Sequence, residues 1–321
     1  MTFDVNNLPS YKDLPVKPGA PAGSSWGLFG DDDQLGTLNL LTPERVAAAA
    51  KLVRKGAVFP LNLRIDEPNP PLYGRGAVRH HLLEGEVSRD DYMDNFYPQA
   101  SSQWDSMRHI LHPREGFYSG APREEIVSGG GRLGIENMAR RGIAGRGVLL
   151  DLGRYLVSQG TPLDCSRDQT ISPTQLDACA RAQGVSVQAG DILLLRTGWL
   201  GWYVDGATPE QKEYMAGDAL TRLKAPGIEH TEAMAEYLWD LHIAAIAADN
   251  PSVEVWPIEL PMGFLHYWLI PLFGMPIGEL WWLDDLAADC AADGVYEFFF
   301  TSAPLNVPGG VGSPPNALAI K

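Results

Sequence analysis

Cysteine is scarce in this chain. Its three cysteines, Cys165, Cys179 and Cys290, include no pair at C-x-x-C spacing. Thiolate zinc sites need such pairs and disulfide-stapled secreted domains carry more cysteines, so the sequence argues against both. A sparse, odd number is typical of a reducing compartment, and we expect a cytoplasmic protein. The segment 1–15 has no basic stretch followed by an apolar core, so we expect no signal peptide.

Long apolar runs and positive charge are also lacking. No run approaches the roughly 18 apolar residues that a transmembrane helix needs. Acidic residues number 40 against 25 lysines and arginines, which gives a formal net charge of −15. Such a surface repels nucleic-acid phosphates and anionic lipid headgroups. We therefore expect neither nucleic acid nor a membrane as a partner.

What the chain does have is the composition of a globular protein. Of its 321 residues, 45% are hydrophobic and 20% are charged, and a chain of this length can bury a sizeable core. No repeat or obvious linker interrupts it, so one domain spanning residues 1–321 is the simplest interpretation. Residues 1–35 are rich in proline, glycine and aspartate, which predicts an irregular arm anchored by Trp26 and Phe29.

Apolar segments alternate with helix-start signals along the chain. Apolar runs bounded by glycine or polar residues predict buried strands, and Thr-Pro or Ser-Pro pairs predict capped helix starts. This alternation favours an α/β fold. The predicted strands are 58–63, 147–152, 191–197, 243–248, 296–302 and 317–320, and the predicted helices begin near residues 43, 135, 173, 209, 231 and 286.

The segment 99–109, QASSQWDSMRH, concentrates polar groups that can do chemistry. Gln99, Gln103, Asp105 and His109 all occupy odd positions, so in an extended chain they lie on one face. In a helix they split into two unrelated pairs. A carboxylate can ligate a metal or orient a water, and a histidine moves protons near neutral pH. The extended arrangement predicts a site centred on Asp105 and His109; a polar edge strand with a surface histidine stays open as the alternative.

A second region, LHYWLIPLFGMPIGELWWL, is apolar except for His266 and Glu279. Ionisable groups in such a stretch are rarely buried without a partner. They indicate either a site that these two residues share with other polar groups, or a hydrogen-bonded core histidine and a glutamate at a turn. Composition alone leaves both interpretations open.

The two regions resemble the cyclase family of hydrolases, which includes bacterial kynurenine formamidase and isatin hydrolase. The family motif H-x-G-T-H-x-D-x-P-x-H is similar to segment 99–109: Asp105 and His109 match, and Gln99 and Gln103 stand where the family has histidines. The spacing is intact. The long branch of the family often reads Q-W-D here, so the glutamines look like a subfamily trait.

The likeness extends over nearly the whole chain. It includes QLGTLNLLT at 34–42, GDILL at 190–194 and the Asp249-Asn250 pair. It implies a swivelling β/β/α fold with a mixed β-sheet and flanking helices, and a homodimer or homotetramer.

The resemblance also implies a divalent metal. In such enzymes the first two histidines and the aspartate of the motif bind the metal, and a later histidine and glutamate complete the site. Carried over, the ligands are Asp105, Gln103, His266 and Glu279, with Asp284 as the alternative to Glu279. An amide oxygen is a weaker ligand than imidazole, so this set suits manganese or magnesium better than a tight structural zinc site. Manganese or zinc is the expected ion, and a metal-free site stays open.

The implied activity is metal-assisted hydrolysis of an amide C–N bond, or a lactone C–O bond, in a small substrate. His109 and Asp105 are then the catalytic residues, and Gln99 and Gln103 ligate weakly or contact the substrate. The alternative on the same scaffold is a metal-free lyase or cyclase, or a small-molecule binding protein.

Aromatic residues around the motif predict a pocket for a flat or cyclic substrate. We expect Trp104, Phe117 and Tyr118 to line it. The segment 129–134 matches G-x-G-x-x-G, but a charged segment precedes it where a dinucleotide fold needs a buried strand. We interpret it as a loop at the edge of the site.

Overall fold

The computed structural model describes residues 7–258 and 263–321. Residues 1–6 of the predicted arm lie outside the described ranges. The strands, in chain order, are β1 Val58–Pro60, β2 Arg79–Glu84, β3 Arg89–Asp94, β4 Gln103–Asp105, β5 Ile126–Val127, β6 Gly130–Gly131, β7 Ile143–Asp151, β8 Thr170–Ile171, β9 Ile192–Arg196, β10 Gly227–Ile228, β11 Ala245–Ala248, β12 Ile277–Glu279, β13 Glu297–Ser302, β14 Gly312–Ser313 and β15 Ala317–Ile320. The helices are α1 Pro43–Ala49, α2 Ile135–Arg141, α3 Leu152–Ser158, α4 Pro173–Gln183, α5 Trp199–Gly201, α6 Pro209–Gly217, α7 Glu232–Asp240 and α8 Asp284–Asp293.

Nine strands form one mixed sheet, in the order β1-β15-β13-β7-β9-β11-β12-β4-β14. The four central strands β7, β9, β11 and β12 are parallel to one another. The strands on either side pair antiparallel, with β13 next to β7 and β4 next to β12. The expected α/β fold with a mixed sheet and flanking helices is confirmed.

The central strands are buried on both faces. Along β9, Leu193 and Leu195 face one hydrophobic cluster, while Ile192 and Leu194 face another. Because side chains alternate along a strand, this division means that both sides of the sheet are covered. A parallel strand covered on both sides is a continuous apolar run, which is why the sequence predicted these strands well.

Side-chain caps set the starts of several helices. Ser172 and Gln175 form a reciprocal capping box at the start of α4, which ends at Gly184 in the left-handed conformation. Thr208 and Gln211 form the same box at α6. Thr42 caps α1, whose first residue is a proline. The predicted helix starts at these positions are confirmed, since each cap satisfies backbone N–H groups that the helix itself cannot.

The N-terminal arm lies against the segment that leads into β12. Trp26 Nε1 donates to the Pro271 carbonyl at 2.7 Å, and Ser25 Oγ donates to the Phe273 carbonyl at 2.9 Å. Phe29 is partly buried against the core. The arm therefore braces the chain between His266 and Glu279, the two ionisable residues of that apolar region.

The hairpin of β2 and β3 is exposed on both faces, with Leu82, Leu83 and Val87 largely open to solvent. The chain that leaves β3 reaches Gln99 within a few residues. Among the described residues, no helix is both long and apolar enough to cross a membrane.

Candidate metal and catalytic centre

Strands β4 and β12 bring the two predicted regions together. In their antiparallel register Gln103 lies opposite Glu279, and Asp105 lies opposite Ile277. The Gln103 amide Nε2 donates to Glu279 Oε2. Side chains alternate along a strand, so Gln103 and Asp105 share one face of β4 while Trp104 takes the other. Two short strands thus align residues more than 170 positions apart in the chain.

His266 completes a compact cluster with these residues. Its Nε2 lies 3.1 Å from Glu279 Oε1. Ligand atoms of Asp105, His266 and Glu279 all lie within 4.8 Å of one another, and all three side chains are buried. The cluster therefore offers one imidazole nitrogen and two carboxylates to a single point.

Gln99 and His109 reach the cluster from turns on either side of β4. The Gln99 amide Nε2 donates to Asp105 Oδ1 and lies 3.0 Å from His109 Nδ1. His109 Nε2 lies 3.9 Å from Asp105 Oδ2. The prediction that positions 99–109 are extended is wrong outside Gln103–Asp105. The four side chains converge nevertheless, because the turns fold Gln99 and His109 back over the strand.

Gly312 on β14 makes room for Gln99. A Cβ atom on residue 312 would lie 2.6 Å from Gln99 Cγ and 2.8 Å from the Trp104 carbonyl oxygen. Only glycine avoids this overlap, so the pairing of β14 with β4 depends on it.

Two serines hold the turn before β4. Ser102 Oγ accepts from the Leu63 amide at 2.7 Å and donates to the Leu280 carbonyl. Ser101 Oγ donates to the Arg64 carbonyl at 2.8 Å. These bonds tie the turn to two other segments of the chain and fix the direction in which Gln103 leaves it.

Glu254 is a member of the site that the sequence did not indicate. Its side chain is fully buried. Its Oε1 lies 2.6 Å from His266 Nδ1, and its Oε2 accepts from the Leu265 amide at 2.7 Å. His230 Nδ1 lies 3.8 Å from Oε2. Glu254 is a single acidic residue in the segment SVEVW, and no spacing in the sequence connects it with His266.

Burial and charge act together on the ionisable groups of the cluster. Burial raises the pKa of Asp105, although the neighbouring His109 opposes the shift. Burial alone would lower the pKa of His266, but its hydrogen bonds to Glu254 and Glu279 outweigh burial and raise that pKa to about 10. Three buried carboxylates around one imidazole form an acidic pocket that favours a cation.

The donor set fits a divalent metal ion. Gln103 Oε1 and Asp105 Oδ2 are buried and have no hydrogen-bond partner among the described residues. Both are acceptors, and a buried acceptor without a donor is costly unless a cation or water satisfies it. Asp105, Gln103, His266 and Glu279 would therefore supply three oxygen ligands and one nitrogen, a mixture that suits manganese or zinc.

Asp284, the alternative acidic ligand, lies in a different environment. Asp284 is the first residue of α8, and its carboxylate accepts a hydrogen bond from Arg196 Nε. Asp151, at the end of β7, binds the same guanidinium at 2.9 Å. The geometry therefore brings Glu279 to the cluster and leaves Asp284 in an ion-pair network.

Two of the predicted substrate contacts lie in the core. Trp104 is fully buried, stacks edge-on against Trp281 at 4.7 Å between ring centroids, and donates to Ser302 Oγ. Tyr118 is also fully buried, and its hydroxyl donates to Asp33 at 2.9 Å. Trp104 leaves β4 on the face opposite Asp105, so it cannot contact a ligand held there. The structure thus places Trp104 on the core side of β4, and Tyr118 contacts the N-terminal arm through Asp33.

Phe117 is partly buried against the hydrophobic cluster that contains Met107 and Tyr118. Phe264 stacks on His266 at 4.4 Å between centroids. Tyr267 packs edge-on against Phe264. These rings form an apolar wall beside the imidazole.

The glycine-rich segment 129–134 is organised by Arg108, the neighbour of His109. The buried guanidinium of Arg108 donates to the carbonyls of Val127 and Gly309 at 2.8 and 2.9 Å, and also to that of Gly130. Only the two-residue strand β5 precedes the glycines, not the long buried strand of a dinucleotide fold. The segment is therefore a loop fixed by main-chain contacts.

Comparison with known proteins gives a consistent family. A family model described as "Putative cyclase" matches residues 44–255. A crystal structure described as a novel cyclase is 36% identical, covers 93% of this chain and 99% of its own, and superposes with a TM-score of 0.80. A search of curated proteins finds no significant match.

More distant structures share the fold. An isatin hydrolase bound to the product analogue thioisatinate is 16% identical, with a TM-score of 0.56 over 82% of this chain and 91% of its own. Isatin hydrolase A from Ralstonia solanacearum is 17% identical, with the same TM-score over 87% of this chain and 97% of its own. The family model and the 36% identical structure show that the chain belongs to the cyclase family.

Proposed function

We propose that this protein is a metal-assisted hydrolase that cleaves an amide C–N bond, or a lactone C–O bond, in a small substrate. The observation that carries the proposal is the cluster of Asp105, His266 and Glu279, whose ligand atoms lie within 4.8 Å of one another. His109 and two unsatisfied buried oxygens adjoin it. Isatin hydrolases share this fold, but a shared fold alone does not determine the reaction.

Four side chains would hold the metal: Asp105, Gln103, His266 and Glu279. A divalent cation bound there would polarise the substrate carbonyl and lower the pKa of a coordinated water. Gln103 presents its amide to Glu279 and keeps that carboxylate turned toward the cluster. The three oxygen ligands favour a hard or borderline ion over one that needs thiolates.

His109 would move the protons. Its Nδ1 is held by the Gln99 amide at 3.0 Å, which leaves Nε2 on the side of Asp105. At Nε2 it would take a proton from the attacking water and deliver it to the leaving nitrogen or oxygen. For Nε2 to accept a proton, Nδ1 must carry the ring hydrogen, so the Gln99 amide would turn its oxygen toward Nδ1 and accept from it before and after the transfer.

The substrate that this site would favour is small and cyclic or aromatic. Phe264 and Tyr267 form the apolar wall beside His266, and a flat ring can stack there while its carbonyl faces the cluster. Gln99 and Gln103 would contact the polar atoms of the substrate as well as the carboxylates. We also propose a homodimer or homotetramer, which light scattering of the purified protein tests.

A metal-free lyase, cyclase or binding protein is the second candidate, and one observation favours it. The amides of Gln99 and Gln103 already donate to Asp105 and Glu279, so these carboxylates are partly satisfied by the protein itself. In that case the glutamines would bind the ligand directly.

The test combines metal analysis with turnover. The purified protein is assayed for bound transition metals and for hydrolysis of a panel of cyclic and aromatic amides, imides and lactones. We expect about one metal per chain, loss of hydrolysis after a chelator and recovery when manganese or zinc is restored. Full hydrolysis by metal-stripped protein, or ligand binding without turnover, would favour the second candidate.

A further inference from the structure

Glu254 is a buried acidic side chain whose hydrogen bonds account for its position. It is fully buried, and the main-chain amides of Leu265 and His266 both donate to it, at 2.7 and 3.2 Å. A carboxylate that receives several N–H donors uses both of its oxygens as acceptors. Burying such a charge is costly, so its position calls for a role that an apolar residue could not take.

The third contact of Glu254 orients the imidazole of His266. With Oε1 at 2.6 Å, Nδ1 of His266 must carry a hydrogen to donate. The other ring nitrogen, Nε2, then lies on the side of Glu279 and belongs to the group of atoms that come within 4.8 Å of one another. Phe264, stacked on the ring at 4.4 Å, fixes the ring plane. One carboxylate and one aromatic ring thus determine which nitrogen faces the cluster.

We propose that Glu254 is a positioning residue that holds His266 with its Nε2 lone pair aimed at the metal. The inference rests on the metal site of the proposed function and adds a residue to it. A carboxylate behind a metal-binding histidine fixes the tautomer and the ring orientation, and makes the imidazole a stronger ligand. Glu254 itself touches neither metal nor substrate.

The test compares Glu254→Gln with a matched control, Asp191→Asn. Asp191 is also buried, and its carboxylate accepts from Arg146 Nη1 at 2.6 Å and from the main-chain N–H of Gln188 at 2.7 Å. It precedes β9, at the end of the sheet away from Glu279. We expect the dissociation constants for Mn²⁺ and Zn²⁺, measured by calorimetric titration, to rise roughly 10- to 100-fold in Glu254→Gln and to stay unchanged in Asp191→Asn.

A second measurement examines the wild-type protein itself. In the zinc-loaded wild type labelled with ¹⁵N-histidine, NMR distinguishes a protonated ring nitrogen from a metal-bound one. We expect His266 to show a protonated Nδ1 and a zinc-bound Nε2, with its signals assigned by their loss in His266→Gln. Zinc on Nδ1 would overturn the inference, as would equal metal affinity in Glu254→Gln and the wild type.

Failure of the proposed function and failure of the role of Glu254 give different results. If the wild type binds neither Mn²⁺ nor Zn²⁺, the proposed metal site falls, and the role of Glu254 falls with it. If the wild type binds metal and Glu254→Gln binds it equally well, only the role of Glu254 is lost.

Discussion

Gln103 on β4 lies directly opposite Glu279 on β12, and its amide donates to the Glu279 carboxylate. In the resembling family motif a histidine stands at the position of Gln103. Gln103 offers the site an amide oxygen, Oε1, in place of an imidazole nitrogen, and this oxygen is buried and has no partner among the described residues. In the proposed metal site, this pair would determine how tightly a metal binds and which metal is preferred.

Gln103→His is expected to strengthen zinc binding. Imidazole is the better ligand for zinc, so we expect the affinity to rise by roughly tenfold or more, about 1.4 kcal/mol, and to rise less for manganese. Calorimetric titration with each ion measures both affinities. Gln183→His is the control, because Gln183 bonds to the main chain at Asp151 and Leu149 instead. Unchanged zinc affinity in Gln103→His would remove residue 103 from the ligand set.

His109→Ala is expected to abolish most turnover without loss of the metal. Removal of a general acid and base costs about 10²- to 10⁴-fold in rate. The metal content should stay that of the wild type, because His109 is not one of the three residues whose ligand atoms lie within 4.8 Å of one another. His80→Ala on the exposed strand β2 is the control. Wild-type kcat in His109→Ala would exclude the proposed proton transfer.

Trp104→Phe is expected to lower stability and leave catalysis unchanged. The substitution removes the bond from the indole to Ser302 Oγ and part of the packing on Trp281. We expect a loss of roughly 1–3 kcal/mol in the free energy of unfolding, from a smaller core side chain and a lost buried hydrogen bond. Urea unfolding measures this loss, and kcat and KM are measured below the transition. A raised KM with unchanged stability would return Trp104 to the substrate pocket.

Asp293→Asn is expected to destabilise the protein in a pH-dependent way. Burial acts to raise the pKa of Asp293, but hydrogen bonds from Lys321 and Lys55, both at 2.8 Å, hold it well below its ordinary value. A lowered carboxyl pKa contributes stability above the unfolded pKa, near 4, and that contribution is lost as the pH falls below it. We expect a difference of about 1 kcal/mol at pH 7, since the pair is partly exposed.

The pH series supplies the check on that prediction. Thermal unfolding from pH 7 to pH 3 should show the difference between Asp293→Asn and the wild type shrinking below about pH 4. Asp90→Asn, on the exposed strand β3, should show little difference at any pH. A difference that grows toward acid pH would contradict the sign.

Long apolar strands and capped helices were predictable from the sequence. β7, β9, β13 and β15 are apolar or alternating runs of four to nine residues, and a run of that length shows its period. Helix α4 carries its own start and stop, from Ser172 to Gly184. Helix α3 escaped prediction because Asp151 ends β7 and caps the helix at once, with no turn between them.

The sequence predicted which residues form the site better than it predicted how they are arranged. The resemblance indicated Asp105, His266 and Glu279, and the structure brings them together. The strands that align them, β4, β12 and β14, have only two or three residues each, and such short segments carry no readable period. Their pairing depends on partners far away in the chain.

Glu254 and Trp104 both show that the local sequence does not decide which residues belong to the site. Glu254 matters because of contacts with His266, twelve residues on, which no local pattern specifies. Trp104 sits between two site residues in the sequence, but the alternation along β4 sends it to the other face. Proximity in sequence was therefore a poor guide to proximity in space at this strand.

The cluster of Asp105, His266 and Glu279 helps to stabilise the end of the sheet that contains β12 and β4. Strands of two or three residues contribute few ladder hydrogen bonds, so the side-chain bond from Gln103 to Glu279 adds to the few that join β4 to β12. The pairing of β4 with β12 and the arrangement of the cluster therefore support each other. A metal ion bound by the cluster would add a further link between β4 and β12. Its removal would loosen this edge of the sheet before the central parallel strands.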